Sequence, residues 1–247
     1  MDYHPARCNA ESPMTTTIYR AINRRGVLAA LGAGAALATV PAFANEADDR
    51  REAQKLVDDC KYTAENFGGA PELRWVRENI GRAKGIMIVP SLGKGGFIIG
   101  GSGGDGVLLA RDPKTGSWSY PAFYTLGSVS IGLQAGGEVA EVILLVMTQK
   151  GIDSLLTTDV KLGGDLSIAA GPVGAGAKAA TADVLSFNRS KGLYGGLTAE
   201  GAIVATNGDR NDAYYHQRVS TMDILVRRNV SNSGADKLRK AVADLGH

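Results

Sequence analysis

The sequence predicts an α+β domain: a strongly bent, Gly-rich, mainly antiparallel β-sheet or small barrel, with two N-terminal helices and C-terminal helices packed around it. Three observations predict it. Apolar residues recur at helical spacing before Lys84 and after Asn207, and the residues between them form short β-branched runs broken by Gly or Pro. Thirty of the 33 glycines fall in residues 45–247, about twice the usual fraction. Glycine inside strands weakens them through chain entropy, so its use there predicts bulges, sharp coiling or closely packed backbones.

The first helix is read from residues 46–67, where Ala53, Leu56, Val57, Cys60, Ala64 and Phe67 share one face. Its opposite face carries Arg50, Arg51, Lys55, Asp58, Asp59, Lys61 and Glu65, mixed in sign. Gly68 and Gly69 end it. Pro71 opens a second helix with Leu73, Val76, Ile80 and Ala83 inward and Arg74, Arg77, Arg82 and Lys84 around them.

Residues 84–110 are the organising stretch of the β part. They read as three consecutive buried strands, at 86–89, 97–99 and 107–109. Residues 100–110 align without gaps on residues 195–205, sharing GG, three residues, an acid, Gly, three apolar residues and Ala. One such repeat is too long for a solenoid and predicts two related hairpins in one sheet. Asp112, Pro113 and Gly116 mark a turn joining 107–111 to 117–120 as a hairpin. Further strands are expected at 128–135, 139–148, 161–170, 178–188 and 193–205, with a short helix at 152–156. Helical periodicity returns at 209–218, 221–228 and 235–245.

Residues 1–44 read as an export signal. Arg24 and Arg25 precede an Ala/Gly/Leu run that ends in Pro41-Ala42-Phe43-Ala44, an A-x-A cleavage pattern of the twin-arginine type. Cleavage after Ala44 is expected to leave one domain, 45–247, on the periplasmic or otherwise exported side, peripheral on the membrane. With four basic residues and two acids in 1–44, residues 45–247 carry 23 of each sign. That neutral balance speaks against nucleic acid as a partner. Cys60 is the one cysteine of 45–247, so no disulfide forms within that stretch.

No catalytic or cofactor motif survives its context. Residues 101–106 satisfy GxGxxG, but Val107, Leu108 and Leu109 after them read as strand, where the fingerprint needs a helix N-terminus. One cysteine and one interior histidine, His216, do not furnish a transition-metal cage. Asp105 and Glu200 occupy equivalent repeat positions, which raises paired acid/base chemistry. Their Gly-rich, turn-like settings favour bonding to turn amides instead. The expectation is a protein that is not an enzyme and takes no cofactor.

The ordered blocks Ala83-Lys84-Gly85-Ile86, Gly100-Gly101-Ser102-Gly103, Gly106-Val107-Leu108-Leu109-Ala110-Arg111, Trp118-Ser119-Tyr120-Pro121, Leu162-Gly163-Gly164-Asp165-Leu166, Lys191-Gly192-Leu193-Tyr194-Gly195-Gly196 and Asp223-Ile224-Leu225 resemble the SYLF domain family. The likeness runs over residues 53–225. Eukaryotic members of that family bind phosphoinositides and, in fungi, actin; bacterial relatives are exported. The resemblance implies a non-enzymatic module for lipid or membrane surfaces, with residues 53–67 at the place of the helix that helps in lipid binding. Actin is not expected to be the partner of an exported chain. The expected contacts with anionic lipid are Arg50, Arg51, Lys55, Lys61, Arg74, Arg77, Arg82 and Lys84. Binding is weak and salt-sensitive, and useful only if several of them share one face. The alternative is an envelope assembly protein that binds a protein partner along a sheet edge.

Overall fold

The computed structural model describes residues 42–69, 74–96, 99–131, 138–171, 181–190, 193–195 and 201–246. Helices α1 (Ala42–Gly69) and α2 (Arg74–Ile80) precede strands β1 (Gly85–Gly96), β2 (Ile99–Ala110), β3 (Ala122–Ile131) and β4 (Glu138–Val146). Helix α3 (Gln149–Leu155) leads to β5 (Asp159–Lys161), β6 (Ile168–Ala170), β7 (Val184–Ser190), β8 (Leu193–Gly195) and β9 (Ile203–Thr206). Helix α4 (Gly208–Tyr215), a π-helical turn (Asp223–Arg227), a 3-10 turn (Ser233–Ala235) and α5 (Asp236–Asp244) close the order.

The strands form one sheet in the order β5-β9-β3-β2-β1-β4-β7-β6, with β8 beside the second half of β7. Every pairing is antiparallel except β6 with β7. The sheet curls into a half-barrel, so the α+β expectation holds with an open sheet in place of a closed barrel.

Central strand β1 sets that curvature. Pro90 cannot donate to a ladder, so inside a central strand it needs a bulge. The registers show one. Ile88 pairs with Val107 and Gly93 with Gly103, while Val89 pairs with Val142 and Leu92 with Ala140, so β1 carries an extra residue against both neighbours. Gly104 and Gly106 are where β2 accommodates it: a Cβ on Gly104 would stand 2.3 Å from the Ser91 carbonyl oxygen, and one on Gly106 2.4 Å from that of Ile88.

The bulge also switches which β1 side chains face which layer. Cys60 of α1 donates its thiol to the Ile88 carbonyl, and Asn211 of α4 accepts from the Phe123 amide at 2.9 Å, which puts α1 and α4 on one face. Tyr124, the next residue, donates to the Leu155 carbonyl of α3 at 2.6 Å on the other face. Both faces are covered there, and residues 86–89 are buried to 1% exposure or less. This explains why β1 begins as an unbroken apolar run instead of an alternating one.

On the α1 face, Val139, Gly93, Gly103, Gly127 and Ile203 line up in one cross-strand row through β4, β1, β2, β3 and β9. A Cβ on any of the three glycines would meet no atom closer than 3.8 Å, and Val139 and Ile203 at the row's ends are exposed.

Several expected boundaries move. The three short strands of 86–109 are two long ones, and Phe97 lies outside the described residues. The first repeat copy is not a hairpin but part of continuous β2; the second runs from the end of β8 to β9, with 196–200 outside the described residues. Both copies belong to the same sheet, with β3 between β2 and β9. Asp112 does make its turn, accepting from the Lys114 and Thr115 amides, but 117–120 contributes a single bridge, Trp118 to Arg111. The true partner of β2 starts at Ala122.

Asp183 locks the parallel crossover. Its carboxylate accepts from Thr148 Oγ1 at 2.7 Å, Ser167 Oγ at 2.8 Å, the Ser167 amide at 3.0 Å and Lys150 Nζ at 3.3 Å, joining the start of α3 to the β6–β7 pair. Burial alone would raise its pKa; the hydroxyl and amide donors outweigh it and hold the carboxyl at about 2. A depressed carboxyl stabilises the fold fully above the ordinary Asp range, near pH 4, and loses that contribution as the pH falls toward 2. Wild type is therefore expected to exceed Asp183→Asn by about 2 kcal/mol in urea unfolding at neutral pH, the gap closing as the pH approaches 2. A gap that stays constant with pH would show that the ionised form is not what Asp183 contributes.

Candidate functional site

Helix α1 buries Ala53, Val57, Cys60, Ala64 and Phe67 at 1% exposure or less, as its periodicity predicts. Its apolar face is therefore core, and its charged flank is what remains for a ligand. Burial pushes the Cys60 thiol far above its usual range, which leaves it a packing group.

Carboxylates accompany most of the expected basic residues. Arg50 pairs with Glu46 at 3.1 Å, Arg51 with Asp48, Lys55 with Asp59 at 2.7 Å, Lys61 with Glu65 at 3.0 Å and Arg74 with Glu78 at 3.0 Å, each within its own helix. Arg77 donates to the Gly68 carbonyl at 3.0 Å, and Arg82 and Lys84 are exposed after α2. Lys61 and Arg77 come together, in a groove of about 670 Å³ between α1 and α5.

Two further cations line that groove, Lys237 and Lys240 of α5, neither of which was singled out from the sequence. Glu65 and Asp244 are its acids, and Ala64, Gly68, Ala241 and Leu245 its floor. The floor is tight: a Cβ on Gly68 would stand 3.1 Å from Leu245 Cδ2. Ala64 and Leu245 at its base are 0% and 2% exposed, yet the lining as a whole exposes at least as much apolar as polar surface beneath its cations. Its charged lining is four cations and two carboxylates. The amphipathic pattern of α5, with Leu238, Val242 and Leu245 inward, was the one available signal for Lys237 and Lys240.

The acid/base candidates part company. Asp105 sits within β2, not in a turn; it accepts from Thr125 Oγ1 at 2.7 Å across the ladder and pairs with Arg210 of α4. Glu200 lies outside the described residues, and His216 is exposed where it ends α4 at φ 57°. Among the described residues no group of three or more His, Cys, Asp or Glu is placed to hold a metal, and no helix is long and apolar enough to cross a membrane.

Residues 127–245 match the family model described as Ysc84: Las17-binding protein actin regulator. The match covers just under half of the chain and places a domain of the Ysc84, or SYLF, family in it. This SYLF chain is 33% identical over 155 residues to LAS seventeen-binding protein 3 of Saccharomyces cerevisiae, covering 60% of the chain and 33% of that protein. It is 30% identical over 168 residues to SH3 domain-containing protein PJ696.02 of Schizosaccharomyces pombe, covering 65% and 39%. To the Homo sapiens SH3 domain-containing YSC84-like protein 1 it is 30% identical over 152 residues, covering 59% and 44%. The SYLF chain thus spans less than half the length of these relatives. No solved structure matches it. Within the family-matched region lie Lys237 and Lys240; α1, with Lys61, precedes it.

Proposed function

We propose that this SYLF chain is a non-enzymatic binding protein that engages anionic lipid at a membrane surface through the groove between α1 and α5, on the exported side of the envelope. The observation that carries the reading is the convergence of Lys61, Arg77, Lys237 and Lys240 on one groove. Each basic residue near an anionic surface contributes about 1 kcal/mol, so four that share a face supply a useful attraction where scattered ones do not. The four cations make the lipid headgroup the part they attract. The export reading rests on the twin-arginine-like segment of residues 24–44.

Liposome co-sedimentation over a salt series tests it. Lys237→Glu with Lys240→Glu is expected to reduce retention on anionic vesicles at least about tenfold, whereas Arg50→Glu with Arg51→Glu, outside the groove, reduces it less. Equal losses would make the whole charged flank the contact surface; unchanged retention in both would remove the groove from the reading.

A protein partner is the second reading, favoured by one observation. Val139 and Ile203 are exposed at either end of the glycine row, on the sheet face and not its edge. The β5 edge is less available, because Asp165 Oδ2 already accepts from the Lys161 amide at 2.8 Å.

A further inference from the structure

Where β1 begins and β2 ends, the surface turns basic. Arg82, Lys84, Arg111, Lys114 and Arg228 surround the turn at Asp112, whose carboxylate is the one acid among them. Hydrogen bonds tie the group together. The Arg111 amide donates to the Lys84 carbonyl at 2.8 Å, and its guanidinium to the carbonyls of Gly81 and Gly116. Arg228 donates to Ser117 Oγ and to the Ala110 carbonyl, both at 3.1 Å, and lies 3.7 Å from Asp112. Arg82, Lys84 and Lys114 are exposed, and among the described residues none of the three has a carboxylate within ion-pair distance. Neither Arg82 nor Lys84 lines the α1–α5 groove.

The same turn forms one wall of a second groove, of about 550 Å³, on the neighbouring flank of α5. Trp118, Tyr120 and Ala243 give it an apolar lining, and Gly116 and Ser117, which Arg111 and Arg228 grip, stand on its basic side. Within it the Arg239 guanidinium donates to the Trp118 carbonyl at 3.0 Å and lies 4.2 Å over the Tyr120 ring. Main-chain carbonyls thus fix Arg111, Arg228 and Arg239 before any ligand arrives, so binding orders few side chains anew. Trp, Tyr and Arg around a pocket is the composition of a protein-binding hot spot. Adsorption to a bilayer needs only positive charge; an aromatic-lined groove beside that charge adds a place for one side chain.

We infer that this end of the sheet is a docking surface for an acidic segment of a protein partner, whose carboxylates meet Arg82, Lys84 and Lys114 and whose aromatic side chain fills the groove over Trp118 and Tyr120. Five cations against one carboxylate supply the charge complementarity, which governs partner choice and association rate more than affinity. The inference does not rest on the lipid reading, since the two grooves share only Lys240 in their linings.

The full chain is titrated with three probes: a fluorescein-labelled synthetic peptide in which glutamates flank one tryptophan, the same peptide with serine in place of tryptophan, and phosphatidylglycerol vesicles. Wild type is expected to bind the tryptophan peptide about tenfold more tightly than the serine peptide. Lys84→Glu with Lys114→Glu is expected to weaken both peptides about tenfold, by a factor that shrinks as salt is added. Ala243→Tyr, at an exposed position of α5, fills the groove; it is expected to weaken the tryptophan peptide to the level of the serine peptide and leave the latter unchanged. Lys237→Glu, which lines only the α1–α5 groove, is expected to leave both peptides unchanged. Circular dichroism checks the fold of each variant. Absence of binding to either peptide by wild type overturns the inference, and equal binding of the two peptides overturns the groove as an anchor site. Loss of vesicle retention in the Lys84, Lys114 double variant with peptide binding intact makes this end a membrane contact instead.

Discussion

Gly106→Ala is expected to lower stability to urea by about 3 kcal/mol or more, while Gly201→Ala, at the equivalent repeat position, costs only about 1 kcal/mol. The two glycines answer to different physics. At Gly106 a methyl group would stand 2.4 Å from the Ile88 carbonyl oxygen and 2.8 Å from Val89 Cγ2. That oxygen belongs to a central strand paired on both sides, so the clash is relieved only by opening the bulge or parting the ladder. At Gly201 a Cβ meets nothing within 4 Å, but φ is +85°, a conformation that an L side chain adopts only under strain. Gly93→Ala is the control. Its Cβ would lie 3.8 Å from the nearest atom in ordinary strand geometry, and restricting the unfolded chain should stabilise it by about 0.5–1 kcal/mol. Urea midpoints of the three variants decide the matter; equal losses at 106 and 201 would mean that the close approach of β1 and β2 is not what requires glycine at 106.

The same glycines show what the sequence makes legible. The face of α1 was readable because 3.6-residue spacing is local, and all of Ala53, Val57, Cys60, Ala64 and Phe67 are buried where it places them. Residues 100–106 were misread as a loop between strands because glycine usually interrupts a strand. Here Gly93 faces Gly103 and Gly95 faces Gly101, so the backbones continue the ladder while neither strand contributes a side chain. Asp105 followed that error: read as a turn residue, it is a strand residue aimed at Arg210. The groove was half legible. Lys61 and Arg77 lie near each other along the chain, but Lys237 and Lys240 reach them only through the docking of α5 on α1, a tertiary event with no local signature.

Phe67→Ala is the second large effect, an expected loss of about 3–5 kcal/mol, and it bears on how α1 meets a membrane. Phe67 is fully buried, among the largest side chains of the core, in a helix that packs on β1, α4 and α5. With total stabilities of about 5–15 kcal/mol, removing it brings the fold close to unfolding. Tyr62, on the same helix but 58% exposed with the Lys61 ammonium over its ring, is expected to tolerate alanine within about 0.5 kcal/mol. An amphipathic helix that inserted its apolar face between lipids would give the reverse pattern: Phe67→Ala would lose vesicle retention and keep its fold, because the ring would be packing against acyl chains. Urea unfolding and co-sedimentation of the folded fraction measure the two quantities on the same variants. Reduced stability with retention intact fixes α1 as a core helix that approaches the bilayer by its charged flank; wild-type stability with retention lost would place its apolar face in the membrane.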